Sequence, residues 1–368
     1  MITTGGTGGH IYPGVAVAHK LQAAGWQVFW LGTENGMEAR IVPNENIEFE
    51  SISFDGIRGK GLRTMIFGSF ELLRALWQSM NIIKRRRPDV VIGFGGFASF
   101  PGAFAAVAKN VPLVIHEANA VPGLANRILR YGADKVLVGF RGVFREGKGH
   151  DVIWSGNPVR EEMLRQPPPD DRFLKRAGTL QLLVVGGSLG AQAINKIVPA
   201  ALKSLPEDKR PRVVHQVGKN HLDAVQKIYA EHQIDAVCVP FIDEMGRAYS
   251  EADIVICRGG AMTIAELTAV GVGALIVPLA SAIADEQSAN AEALTRIQAA
   301  DKISQKDLTA DVLAKWLMGM TRERALAMAN AAYALRRENA AEDAMKVCMG
   351  LGSAFRRKRL SKGTLNEA

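Results

Sequence analysis

The chain has 368 residues, 48% of them hydrophobic, and carries 45 Lys and Arg against 37 Asp and Glu for a formal net charge of +8. That length suits two domains, the composition excludes a disordered chain, and the positive balance favours an anionic partner such as a nucleotide, a membrane face or nucleic acid. Three scattered cysteines (Cys238, Cys257 and Cys348) offer no disulfide framework or zinc spacing and suit a reducing compartment, and neither a signal peptide nor an apolar run of ~18–20 residues is present.

Met1 to Thr4 reads as the end of a buried strand, at most four residues long, so that either the strand is short or its start lies upstream. Gly5-Gly6-Thr7-Gly8-Gly9-His10 follows, then a helix from Ile11 to Ala24. Strand, glycine loop and helix form a phosphate-binding unit, because the loop lets backbone approach a ligand and the helix start presents unpaired N–H groups. His10 stands where loop becomes helix. It reads either as a turn histidine or as a general base, since a neutral imidazole takes a proton from an alcohol near pH 7.

Further strands are expected at 27–31, 48–53, 89–93, 113–115, 135–138 and 152–154, alternating with helices. The longest helix, Leu62 to Arg86, carries Ile66, Phe70, Leu73, Leu76, Trp77, Met80 and Ile83 at helical spacing, a stripe that suits core packing. Met65, Phe67, Leu72 and Ile82 widen the apolar set, and Lys84-Arg85-Arg86-Arg87 closes it. An exposed apolar face with a basic fringe suits an anionic bilayer over the region 62–87.

Gly156-Asn157-Pro158 and the proline-rich stretch 166–171 mark a boundary, after which the pattern restarts. A strand at 180–185 runs into Gly186-Gly187-Ser188-Leu189-Gly190-Ala191, and strands at 213–217, 237–240, 254–257 and 274–277 alternate with helices. Gly259-Gly260-Ala261-Met262-Thr263 opens a helix suited to a diphosphate, and Glu266 two turns on reads either as a solvated helix glutamate, the favoured reading of that residue alone, or as a ligand of vicinal hydroxyls. Asp285-Glu286-Gln287 begins another helix, where short polar side chains suit sugar hydroxyls and Asp285 also reads as a simple helix cap. Residues 322–349 read as helix and 353–368 as a frayed basic tail.

The fold class is therefore α/β, with two Rossmann-like doubly wound parallel sheets facing a cleft. The domains are expected at 1–157 and 158–334, with a helix at about 335–352 returning to the first. Neither glycine loop matches G-x-G-x-x-G, and no G-x-x-x-x-G-K-[ST] occurs, which argues against a dinucleotide fingerprint and a P-loop. His116-Glu117 has no further ligand at metal spacing, so no metal and no cofactor is expected. The basic residues are scattered and no aromatic-rich motif appears, so no nucleic-acid partner is expected.

Several motifs in order resemble one family over nearly the whole chain. They are Gly5 to His10 with Pro13; Gly95-Gly96 with Ser99 and Pro101; His116-Glu117 with Asn119; Gly156-Asn157-Pro158-Val159-Arg160; Gly186-Gly187-Ser188 with Gly190-Ala191; Phe241-Ile242-Asp243 with Met245; Cys257-Arg258 with Gly260-Ala261, Thr263 and Glu266; and Asp285, Gln287 and Asn290-Ala291. The chain resembles the MurG family of UDP-N-acetylglucosamine–N-acetylmuramyl-(pentapeptide) pyrophosphoryl-undecaprenol N-acetylglucosamine transferases. The resemblance implies a GT-B fold and an inverting transfer of N-acetylglucosamine from UDP-GlcNAc to the C4 hydroxyl of the muramyl sugar of lipid I. The product is lipid II, for peptidoglycan synthesis and so for cell shape and division. It further implies a peripheral enzyme at the cytoplasmic face of the plasma (inner) membrane, with other cell-wall synthesis proteins as partners.

By the same resemblance Ile242 meets the uracil through its backbone and Glu266 the ribose. Ala261, Met262, Thr263, Ile264 and Ala265 line the donor site. Ser188 and the segment 261–263 hold the diphosphate with Arg160 nearby. Gln287 and Asn119 bind the sugar, and Thr7, Gly8 and Gly9 line the transfer site. His10 is the candidate base or, alternatively, a ligand of the acceptor diphosphate. Departures from the family pattern stand at Ala118 and Ser288, where glutamine is usual, at Gly259, and in the bland segment 280–284. A related UDP-sugar transferase or epimerase and a non-catalytic nucleotide-sugar binder are the alternatives.

Overall fold

The structure, a computed structural model, describes residues 1–54, 62–144, 151–187, 190–279 and 285–365, the side chains of 62–68 and 362–365 excepted. The chain forms two compact units. One comprises Met1–Arg160 with Asn339–Ala368, and the other Glu161–Glu338.

The first unit runs β1 (Ile2–Thr3), α1 (Gly8–Ala23), β2 (Phe29–Thr33), α2 (Glu38–Asn44), β3 (Glu48–Ile52), α3 (Leu62–Arg86), β4 (Val91–Gly93), α4 (Ser99–Ala108), β5 (Leu113–Glu117), α5 (Leu124–Leu129), β6 (Lys135–Val138) and β7 (Val152–Trp154). All strand pairs are parallel, in the order β3-β2-β1-β4-β5-β6-β7. The second unit begins with α6 (Glu161–Leu164) and α7 (Pro169–Phe173). It continues through β8 (Gln181–Val185), α8 (Gln192–Lys203), β9 (Arg212–Gln216), α9 (Leu222–Glu231), β10 (Ala236–Val239), α10 (Met245–Glu251), β11 (Ile254–Cys257), α11 (Ala261–Val270), β12 (Gly273–Ile276), α12 (Glu286–Thr295), β13 (Ala300–Lys302), α13 (Ala310–Met318) and α14 (Arg322–Tyr333). Its parallel sheet is ordered β10-β9-β8-β11-β12-β13. In both sheets the order reverses beside the first strand, between β1 and β4 and between β8 and β11, and each of these four strands ends in a glycine loop. Such switch points are where open α/β sheets bind ligands.

Strand alternation builds a core on each face of the first sheet. Ile2, Trp30, Ile92, Val114 and Leu137 pack on Ile11, Val15 and Leu21 of α1. Leu31, Val91, Leu113, Ile115 and Val136 pack on Ala75, Ile82 and Ile83 of α3 and on Ala103 and Ala106 of α4. The first strand is only two residues long in the sheet. Side chains extend it: the Thr4 hydroxyl donates to Gly95 O (2.9 Å) and the Trp30 indole donates to Thr4 O (3.1 Å).

Three expectations are corrected. The stripe of α3 assigned to the core is partly outside: Phe70, Leu73 and Trp77 are 71%, 65% and 63% exposed, while Ala75, Ser79, Ile82 and Ile83 are buried. The helical stretch 322–349 breaks between α14 and α15 (Ala340–Leu365), and the expected tail is ordered helix as far as Leu365. Asp285 precedes α12 but makes no side-chain cap bond.

The final helix α15 belongs to the first unit. Ala341, Ala344 and Cys348 join the α1-side core, and Phe355 reaches the α3-side core, so the helix crosses under the sheet. The crossing is made at Gly352, where an added Cβ would stand 2.6 Å from Trp26 Cη2 and 3.3 Å from Val90 Cγ1. Gly352→Val is expected to cost about 1–3 kcal/mol of stability through overpacking, read as a lower urea midpoint with an unchanged m-value.

Candidate functional site

The first unit's site is built where β1 and β4 end. Gly96, at φ +78°, lies so close to the first loop that a Cβ on it would sit 2.4 Å from Gly5 O. A Cβ on Gly5 would in turn collide with Glu38 Oε1 at 2.2 Å. Glu38 is fully buried and its carboxylate accepts from Gly6 N (3.2 Å), Thr33 N (2.9 Å) and the Thr33 hydroxyl (2.7 Å). Buried carboxylates persist only when paired or fully hydrogen-bonded, and here the bonds clamp the glycine loop to β2. Sequence reasoning missed Glu38, because nothing local in Gly36-Met37-Glu38 reveals that its carboxylate turns back onto Thr33 and reaches Gly6.

Thr7 is the exposed residue before α1, and Gly8, Gly9 and His10 form its first turn, half-buried. His10 Nδ1 is 3.5 Å from the Thr7 hydroxyl, and its ring faces Gly95. Burial lowers the His10 pKa below its ordinary value, so the imidazole is neutral at pH 7 and able to accept a proton.

Behind it lies a second layer. His116 is fully buried, its Nε2 3.1 Å from Gly156 O, and burial pushes its pKa down to about 4, with a further contribution from nearby His10. Glu117 is buried and its pKa raised by desolvation; it accepts from Asn119 N (2.9 Å), Gly123 N (3.0 Å) and Asn126 Nδ2 (2.9 Å). Asn157 Nδ2 donates to Ala118 O (3.0 Å). His116, Glu117, Asn126 and Asn157 thus hold the loop that presents Asn119. Arg160 stands half-buried with its guanidinium 5.1 Å from the Tyr12 ring centroid, so it belongs with α1.

The second unit's site stands at the ends of β8 and β11. Gly186 and Gly190 are forced by close backbone, their added Cβ atoms falling 2.8 Å from Gln216 O and 2.3 Å from Val217 O. Ser188 lies outside the described residues. Gly260 is the N-cap of α11, which leaves the N–H groups of Ala261, Met262 and Thr263 at the helix start, free of intrahelical partners. Ile264 N is bonded to Gly260 O (3.0 Å) and its side chain is buried. Ala265 is half-buried. Glu266 stands half-buried on α11 with the Tyr249 hydroxyl 3.4 Å from Oε2.

Gln287 Oε1 accepts from Leu279 N (2.7 Å), and the fully buried Asn290 donates to Gly259 O (3.1 Å). Asn290 ties α12 to the start of α11, and Gln287 ties it to the loop after β12. Gly259 lies against Gln287 O, where a Cβ would fall at 2.3 Å, so any side chain at this position would need a shift of α12. Ile242 is half-buried in the loop before α10. Among the described residues no group of three or more His, Cys, Asp or Glu side chains is placed to hold a metal ion.

Residues 1–138 match the glycosyltransferase family 28 N-terminal domain, and residues 181–347 match the glycosyltransferase family 28 C-terminal domain. The chain is 47% identical over 358 residues, covering 96% of each chain, to the UDP-N-acetylglucosamine–N-acetylmuramyl-(pentapeptide) pyrophosphoryl-undecaprenol N-acetylglucosamine transferase of Burkholderia pseudomallei (strain 1106a). The protein of the same name from Burkholderia mallei (strain SAVP1) matches equally, at 47% over 96% of each chain. The crystal structure of Acinetobacter baumannii MurG superposes with TM-score 0.81 at 36% identity, covering 95% of this chain and 99% of that one. A putative UDP-N-acetylglucosamine 2-epimerase from Listeria monocytogenes shares the fold alone, with TM-score 0.65 at 16% identity over 97% and 96% of the chains.

The buried histidines make stability depend on pH. His116 has an ordinary value of 6.5 and a folded value of about 4, so below 6.5 the unfolded chain takes up a proton that the folded one refuses. Stability is therefore expected to fall as pH drops from 6.5 towards 4, by up to about 3 kcal/mol from this group. Urea unfolding at pH 7 and pH 5 measures the slope, and His116→Gln, which keeps a donor towards Gly156, should flatten it.

Proposed function

The chain belongs to glycosyltransferase family 28, and on that footing we propose that it transfers N-acetylglucosamine from UDP-GlcNAc to lipid I, making lipid II for peptidoglycan synthesis. The observation that carries this reading is the near-full-length identity to transferases whose names state that donor and acceptor class. In the reaction the C4 hydroxyl oxygen of the muramyl sugar bonds to the anomeric carbon of N-acetylglucosamine. The bond from that carbon to the diphosphate breaks, UDP leaves with the electron pair, and a β-1,4 linkage forms with inversion.

Two charges need handling. The proton leaving the nucleophile goes to His10, whose desolvated imidazole is neutral and set in the first loop beside Thr7. The charge growing on the diphosphate is met by the N–H groups of residues 261–263 at the α11 N-terminus, with Arg160 and Ser188 as further ligands, and no metal enters the scheme. Glu266 takes the ribose hydroxyls, Ile242 the uracil through its backbone, and Gln287 and Asn119 the sugar. Thr7, Gly8 and Gly9 line the transfer site.

The lipid acceptor calls for a peripheral contact, at the cytoplasmic face of the plasma membrane. Among the described residues no helix is long and apolar enough to cross a bilayer. Support for a surface contact comes from Phe70, Leu73 and Trp77, large apolar side chains exposed at helical spacing along α3, with Lys84, Arg85 and Arg86 in its last turn. The side chains of Met65, Ile66 and Phe67 lie outside the described residues.

His10→Ala is expected to lower kcat by about 10²–10⁴ with KM for UDP-GlcNAc nearly unchanged, while Glu266→Ala raises that KM. Steady-state transfer to lipid I measures both, and near-normal kcat in His10→Ala would remove the base role. Trp77→Asp and Phe70→Asp should weaken sedimentation with vesicles while leaving the urea midpoint within about 0.5 kcal/mol, as exposed sites do. Unchanged sedimentation would return α3 to a purely structural role.

A further inference from the structure

Glu266 stands half-buried on α11, and the terminal torsion of a glutamate is soft, so its two oxygens turn at little cost. A carboxylate that accepts from two adjacent hydroxyls at once has to hold one plane, and ordering it on binding costs affinity. A neighbour sets that plane. Tyr249, on α10, is only 1% exposed, and its hydroxyl lies 3.4 Å from Glu266 Oε2. A buried phenol needs a partner for its O–H, and a carboxylate is a strong one because the acceptor is charged. The charge of Glu266 is also felt by Cys257 at the end of β11, whose thiol is pushed up to about 12 by burial first and by Glu266 second.

The two helices that carry this pair are locked to each other from outside. Arg172 of α7 donates to Ser250 O in the last turn of α10 (3.0 Å), to Val270 O at the end of α11 (2.9 Å) and to Gly271 O just beyond it. Arg176 adds a bond to Ala252 O after α10 (2.8 Å). Helix C-termini present unpaired carbonyls and partial negative charge, which a guanidinium satisfies. α10 is further set against α6 at Gly246, where a Cβ would fall 2.9 Å from Glu162 O. With α10 and α11 fixed in this way, phenol and carboxylate have little freedom to part. The loop that holds Ile242 leads directly into α10, so the helix that follows the uracil residue also anchors the ribose carboxylate.

We infer that Tyr249 is a positioning residue for nucleotide recognition. Its hydroxyl turns the Glu266 carboxylate so that both oxygens face a vicinal diol, and the site thereby selects a ribonucleotide over its 2′-deoxy counterpart. The inference rests on the reading of Glu266 as the ribose ligand and adds a residue that acts through it. Without the hydroxyl the carboxylate stays in place and charged but rotates freely, so the diol has to order it.

The test is calorimetric binding of UDP and 2′-deoxy-UDP to the full chain, in the native protein, Tyr249→Phe, Glu266→Ala and the double variant. The native protein should prefer UDP by about tenfold or more, the worth of one hydrogen bond to a charged group. Tyr249→Phe keeps the ring that fills the core and should cut the preference to about threefold, with most of the change falling on UDP. In the Glu266→Ala background the same substitution should leave the ratio where it stands, because the hydroxyl has no carboxylate to turn. A ratio taken on one preparation does not depend on its folded fraction, so lost packing cannot imitate the result. Equal weakening of both nucleotides by Tyr249→Phe, an undiminished preference, or a further drop in the Glu266→Ala background would each overturn the positioning role. Equal binding of the two nucleotides by the native protein would remove the ribose reading of Glu266 and the inference with it, a failure read from the native ratio alone and so distinct from failure of Tyr249.

Discussion

Two stretches of backbone pass each other beside β1 and β4 with no room for a side chain between them. A Cβ on Gly96 would meet Gly5 O, and a Cβ on Gly5 would meet the Glu38 carboxylate. This crowding fixes the path of the first loop into α1 and so the direction in which His10 leaves the helix. It also explains the buried acid. A loop that turns this tightly strands backbone N–H groups, and Glu38 satisfies Gly6 N while it is itself held by Thr33. The cost of burying a carboxylate is offset by three donors in a dry environment, where hydrogen bonds to charge are strong. In the second unit the brace meets a carbonyl instead: Asn290 reaches back from α12 and donates to Gly259 O.

Much of this order is legible in the sequence, and for a physical reason. Strands of a parallel sheet are buried on both faces and read as short apolar runs, and each glycine loop marks where a strand gives way to a helix. Strand and loop positions therefore follow from local pattern, and 254–257 is assigned to the residue. What fails is whatever depends on a distant partner. Helical spacing shows that α3 is apolar but not which side is covered, because both sides carry large apolar residues; Phe70 and Trp77 look like core until the sheet is in place. The basic run 356–359 reads as solvated tail, since nothing local reveals that Asp89 awaits Arg359. Glu38, Asn126 and Asn157 are invisible for the same reason: a polar brace is recognised only by the groups it bonds.

Proton acceptance and anion stabilisation make opposite demands on a site. A base must be neutral at working pH, which favours a dry loop poor in nearby anions, whereas a leaving diphosphate needs positive potential. An imidazole set against a diphosphate would have its pKa raised and would lose its free lone pair. In this fold the dry histidine stands in one unit and the α11 N-terminus in the other. The dipole of a helix start supplies positive potential without a titrating group.

The two ends of the first sheet then differ in how freely they can change. At the ends where strands finish, glycine crowding and buried braces leave little latitude, because each residue fixes another. At the ends where strands begin α15 crosses, lying at Gly352 close against Trp26 and Val90. That contact carries the helix from the α1-side core to Phe355 on the α3 side and delivers Arg356 and Arg359 to the end of α3. A side chain at residue 352 would lift the helix from Trp26 and separate those arginines from Arg87 without touching the glycine loops. The packing that closes the first unit's core and the charge that gathers at its far end are thus one structural decision.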